Sequence, residues 1–140
     1  DGVVTMPNRP LARAGRQAGV AEPADGSISG FSELPVSEGG LGLGDVVSGD
    51  MRALHIPVSG SYLITLNLAV LTSSGHSVAL RINGVRTDFA VSGGVTSETV
   101  TQSSSFIIAL SKDDRLSLSH SGACRLAMGS GKTELCLSRL

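Results

Sequence analysis

Tyr62-Leu-Ile-Thr-Leu-Asn-Leu-Ala-Val-Leu71 and, a few residues on, Ser77-Val-Ala-Leu-Arg-Ile-Asn-Gly-Val-Arg-Thr-Asp-Phe-Ala-Val91 decide the fold class. The first is an apolar run bounded by Ser/Gly clusters, the signature of a strand between turns. In the second, Asn83-Gly84 separates two such runs by two residues. A type I′ turn needs positive φ at both central positions, and Asn-Gly supplies it with little strain. A β-hairpin is therefore predicted, with arms Ser77 to Ile82 and Val85 to Val91.

Outward from the hairpin the pattern repeats. Further strands are predicted over Arg52 to Pro57, Ser61 to Thr72, Thr99 to Leu110, Arg115 to His120 and Thr133 to Leu140, with Lys112-Asp113-Asp114 turning the chain between Leu110 and Leu116. Residues 1 to about 50 are weakly patterned, because Pro7, Pro10, Pro23 and Pro35 and the run Glu38-Gly-Gly-Leu-Gly-Leu-Gly-Asp45 permit only short strands among loops. Short strands at regular spacing indicate one all-β domain built as a sandwich or barrel.

In Tyr62 to Leu71 and in Phe106-Ile-Ile-Ala-Leu110 both parities of the pleat read as largely apolar, as in strands covered on both faces. The outer face of a small sandwich normally meets water, so the cover expected here is a neighbouring subunit. The interface candidates are Tyr62, Ile64, Leu66, Ile107, Ala109 and Cys136. The alternative is that Ile107, Ala69 and Ala109 are scattered surface apolars.

Composition narrows the function. Of 140 residues 41% are hydrophobic, enough for a core, while 11 basic and 12 acidic side chains leave a formal charge of −1 and no field to gather nucleic acid. No apolar run approaches the roughly 20 residues of a membrane span. The opening residues lack the basic-then-apolar pattern of a leader, so localisation has to be argued otherwise. Gly129-Ser-Gly-Lys-Thr133 fails as a phosphate loop, because Leu126 stands where the first glycine belongs and the remaining residues alternate like a strand. His55, His76 and His120 show no metal or triad spacing, and no Gly-x-Ser-x-Gly elbow is present, so catalysis is not expected. Cys124 and Cys136 either pair or remain as buried thiols. No Asn-x-Ser/Thr acceptor for N-glycosylation occurs. Arg81, Arg86 and Arg115 flank turns and are the candidate ligand-binding residues, the alternative being solvated charges at strand ends.

The order of these features is similar to that of C1q-like domains, the globular heads of the C1q/TNF superfamily. His55-Ile-Pro-Val-Ser-Gly-Ser-Tyr-Leu-Ile-Thr65 resembles the family's Pro-x-x-Gly-x-Tyr strand entry, and Val78-Ala-Leu-Arg-Ile-Asn-Gly84 its hairpin. Gln102 to Leu118 resembles the family segment that ends in a Gly-Asp turn, and Lys132 to Leu137 occupies the closing strand. Upstream, Arg9 to Ala14 and Gly30 to Gly40 are similar to the opening segments. The resemblance covers nearly the whole chain, most clearly Ile56 to Leu118. It implies a single C1q-like domain over residues 1–140 with a short irregular segment at 1–8, folded as a ten-stranded jelly roll of two antiparallel sheets. It also implies a homotrimer or heterotrimer that recognises a protein receptor or surface ligand without catalysis, secreted or on a particle surface. A structural coat or tip domain and a TNF-type receptor ligand are the alternatives. The usual aromatics of the opening and closing strands are missing, which marks a divergent member. The acidic residues that hold calcium in several relatives are replaced by Ala90, Val91 and Thr101, leaving Asp88 and Glu98 as a poor ligand set, so no cofactor is expected.

Overall fold

A computed structural model describes residues 9–140, and the irregular segment expected over residues 1–8 lies outside the described residues. The described residues form eleven strands: β1 (Leu11–Gly15), β2 (Gly19–Ala21), β3 (Ile28–Ser29), β4 (Glu33–Glu38), β5 (Gly42–Ser48), β6 (Met51–His55), β7 (Gly60–Ile82), β8 (Val85–Thr96), β9 (Val100–Leu110), β10 (Arg115–Met128) and β11 (Glu134–Arg139). All pairings between them are antiparallel. The two expected strands Ser61 to Thr72 and Ser77 to Ile82 are one strand of 23 residues. Its first half pairs with β9 and β11, and its second half with β8 and β10. β7 is therefore shared by two layers, β4-β1-β11-β7-β9 in front and β8-β7-β10-β6-β5 behind, with β2 and β3 on the far edge of β10.

The passage between layers is made at glycines. Gly75 has φ of 106° where β7 bends, and Gly122 has φ of 75° where its partner β10 shifts register. A Cβ on Gly122 would collide with the carbonyl oxygen of Gly75, so the two backbones close on each other only without side chains there. The β7–β8 hairpin turns at Asn83 (φ 53°) and Gly84 (φ 81°), the positive pair that the type I′ reading requires.

Alternation then builds the core. Tyr62, Ile64, Leu66, Leu68 and Val70 project from β7 between the layers, each at most 1% exposed, against Leu135 and Leu137 of β11 and Leu116, Leu118 and Leu126 of β10. The Tyr62 hydroxyl donates to the Val58 carbonyl at 2.6 Å, satisfying its polar end, while burial raises the phenol's pKa. Phe106 of β9 meets Phe89 of β8 edge-on at 5.2 Å and closes the sandwich where those two strands face each other.

Candidate functional site

The parity of β7 corrects part of the interface expectation. Tyr62, Ile64 and Leu66 are core residues of the single chain, with no more than 1% of their surface exposed, and offer nothing to a neighbour. The outward parity of the same run is Leu63, Thr65, Asn67, Ala69 and Leu71, which is half polar, so β7 is not apolar on both faces.

Outward on the front layer, directly opposed residues form rows. One row joins Ile107 of β9, Leu63 of β7, Ser138 of β11 and Leu11 of β1. Ile107 is 68% exposed, and Leu63 and Leu11 are exposed too, so this row is an apolar stripe on the surface of the chain. Ala109, beside Ser61, continues it. The next row is Ser105, Thr65, Cys136 and Arg13, in which Thr65 and Ser105 share a hydroxyl hydrogen bond of 2.9 Å. Below it, Arg13 donates from Nη2 to both carboxylate oxygens of Glu134 at 2.8 and 3.0 Å. Glu134 is buried, and this hydrogen bond with the accompanying charge raises the Arg13 pKa. Cys136 and Cys124 are free, half-buried thiols in different layers, and burial pushes both pKa values up.

The back layer carries the arginines. Arg81 of β7 lies opposite Arg86 of β8 on one side and opposite Ser117 of β10 on the other. Arg115, two residues before Ser117, shares its face. The structure thus brings all three sequence candidates onto one surface, a grouping that needs the hairpin register and is invisible in linear order. Arg86 donates from Nη1 to Ser121 Oγ at 2.9 Å, two rows away, so its stem crosses the row of Ala79 and Ser119. Arg81 donates from Nη2 to the Gly84 carbonyl at 2.6 Å. Arg115 donates from Nη1 to the Asp113 carbonyl at 2.6 Å, while its buried Nε lies against the Asp45 carboxylate as an ion pair without an aligned hydrogen bond.

Two buried histidines, whose partners sequence spacing did not reveal, lie elsewhere. Ser73 Oγ, His76 Nδ1, His76 Nε2 and Gln102 Oε1 form a chain of hydrogen bonds of 2.6 and 2.8 Å. It has the outline of a nucleophile and base, but Ser73 and His76 are 7% and 6% exposed, and Ser73 Oγ also accepts from Gly75 N. The chain pins the β7 bend to β9 and presents no oxygen to a substrate. His120 of β10, 5% exposed, bonds Ser29 Oγ through Nε2 at 2.6 Å, and its Nδ1 is buried without a partner. It lines an internal pocket of about 20 Å³ between the layers, with Phe31, Leu66 and Leu126, room for one water. Burial, helped by the charge of Arg16, lowers the His120 pKa to about 4. No three His, Cys, Asp or Glu side chains gather into a metal-holding group among the described residues.

Two layers of antiparallel strands that share their long central strand define a jelly roll. The chain's fold is that of TNF and C1q globular structures. It superposes on the structure of Eiger TNF from S. frugiperda with a TM-score of 0.74 at 16% identity, covering 94% of each chain. Murine APRIL at pH 8.0 gives 0.67 at 18% identity, covering 94% of this chain and 99% of that one. The globular domain of the zebrafish complement 1qA protein gives 0.65 at 12% identity, covering 94% and 98%. No protein-family model and no curated protein matches the sequence. Such identities fit the divergence read from the missing aromatics.

Proposed function

We propose that the chain is a non-enzymatic recognition head that assembles as a homotrimer and binds a protein or surface ligand multivalently, outside the cell or on a particle surface. The observation that carries this reading is the exposed stripe of Ile107, Leu63 and Leu11 on the outer face of the front layer. Two neighbouring copies around a threefold axis would take this stripe out of water, as the C1q-like resemblance implies. Three weak sites on one rigid body then bind with avidity that no single site has. The second reading is a TNF-type receptor ligand, favoured by the TM-score of 0.74 to Eiger TNF against 0.65 to the C1q globular domain. In that case the receptor would sit in the grooves between subunits.

Sedimentation equilibrium tests the assembly. The wild-type chain is expected near three times its 14.2 kDa mass, and Ile107→Arg, which sets a charge in the stripe, at 14.2 kDa with unchanged circular dichroism. A wild-type monomer, or an Ile107→Arg variant as fully trimeric as the wild type, would refute the proposed interface.

A further inference from the structure

The arginine face is electrostatically incomplete. Like charges directly opposed across a strand pair destabilise it, and here Arg81 opposes Arg86, with Arg115 diagonal to Arg81 on the other side of β7. Of these three arginines only Arg115 has a carboxylate within ion-pair distance among the described residues, that of Asp45, and Asp45 meets the Nε without an aligned hydrogen bond. The nearby acid Asp114 is engaged by Asn83 Nδ2 and Ser111 N at the β9–β10 turn, at 2.9 and 2.8 Å. Arg81 and Arg86 rest on neutral oxygens, which leaves their charge uncompensated.

Beside Arg81 and Arg115 the surface sinks into an open depression of about 450 Å³ whose wall also contains Asp45, Ile28 and Val46. Ile28 and Val46 are 38% and 62% exposed. The depression thus has a basic part and an aliphatic part, with Asn83 and Ser117 also in its wall. A sulfated or carboxylated glycan would use the guanidinium groups and leave the exposed aliphatic side chains of Ile28 and Val46 uncovered. A protein segment that alternates acidic and aliphatic side chains matches both parts, its carboxylates meeting planar guanidinium forks and its aliphatic groups covering Ile28 and Val46.

We infer that the Arg81, Arg86 and Arg115 face of the back layer is the docking site for an acidic, aliphatic segment of a partner protein, with Asp45 as an internal competitor for Arg115. This deepens the recognition reading by naming the partner's chemistry. Each site is built by one chain, so it is separable from assembly.

The probe is a fluorescent, amidated hexapeptide of alternating glutamate and valine, titrated by anisotropy at about 50 mM salt, where screening is modest. Arg81→Gln and Val46→Ser should each weaken binding about fivefold, the scale of an interface contact that matters. Asp45→Asn should tighten it about twofold or more, while Glu98→Gln, the same change of charge between β8 and β9, should leave it unchanged. A glutamine–valine peptide should not bind. Absence of glutamate–valine binding, insensitivity to Arg81→Gln, equal effects of Asp45→Asn and Glu98→Gln, or tighter binding of a heparin tetrasaccharide through the same arginines would each overturn the inference. A trimer that does not bind the peptide would refute this site alone, and a monomer that does would refute assembly alone.

Discussion

Acid should destabilise the chain through one buried imidazole. His120 holds its pKa at about 4 against 6.5 when exposed, because its Nδ1 faces an apolar pocket without a partner and Arg16 adds positive charge. The unfolded chain therefore binds the proton more readily than the folded one. The stability that depends on neutral His120 is complete above about pH 6.5 and declines as the pH falls toward about 4. At 1.36 kcal/mol per unit the full loss is about 3 kcal/mol per chain, of which about 2 kcal/mol is gone by pH 5. Such a loss is a sizeable fraction of the stability of an ordinary domain. The assay is urea unfolding at about pH 7.5 and about pH 5, for the wild type and His120→Asn. The variant keeps a group that can bond Ser29 Oγ but does not titrate. Carboxylates elsewhere contribute to both proteins alike, so the difference between the two pH dependences isolates the imidazole. If wild type and variant lose the same free energy between the two conditions, the reasoning is wrong.

Gly122→Ala should cost several kcal/mol and lower soluble yield, because it adds a Cβ at positive φ directly against the Gly75 carbonyl, whereas Gly94→Ala, with nothing within 4 Å, should be nearly silent in a thermal melt. Glu134→Gln leaves Arg13 with a weaker partner at a buried carboxylate position and should lower the chemical-denaturation midpoint. A chemical-denaturation midpoint unchanged within error would show that this pair contributes nothing.

The hairpin at Asn83-Gly84 was legible because its turn chemistry is local; the pairs Ile82–Val85 and Arg81–Arg86 follow from it, and between Arg81 and Ala79 an irregularity in β8 shifts the register by two residues. The continuity of β7 was not, since Ser73-Ser-Gly-His76 has the composition of a turn and only its pairing with β10 makes it a bend within a strand. Facing was misread for Tyr62, Ile64 and Leu66, although Thr65 and Asn67 already marked the opposite parity as the wetter one. The short strands β2 and β3 owe their extended backbone to the edge of β10 rather than to their own propensity, so the first fifty residues carry little signal. Arg81, Arg86 and Arg115 could be chosen one by one, but their common surface comes from cross-strand register.

The final strand, β11, is hydrogen-bonded between β1 and β7, in the middle of the front layer. During synthesis that layer stays open until Glu134–Arg139 has left the ribosome, with β1 and the first half of β7 each presenting an unpaired edge. Pairing of β1 with β11 thus waits for Arg139, so slow closure of this layer and adhesive edges before it are expected, and loss of only these six residues would remove the keystone rather than trim an edge.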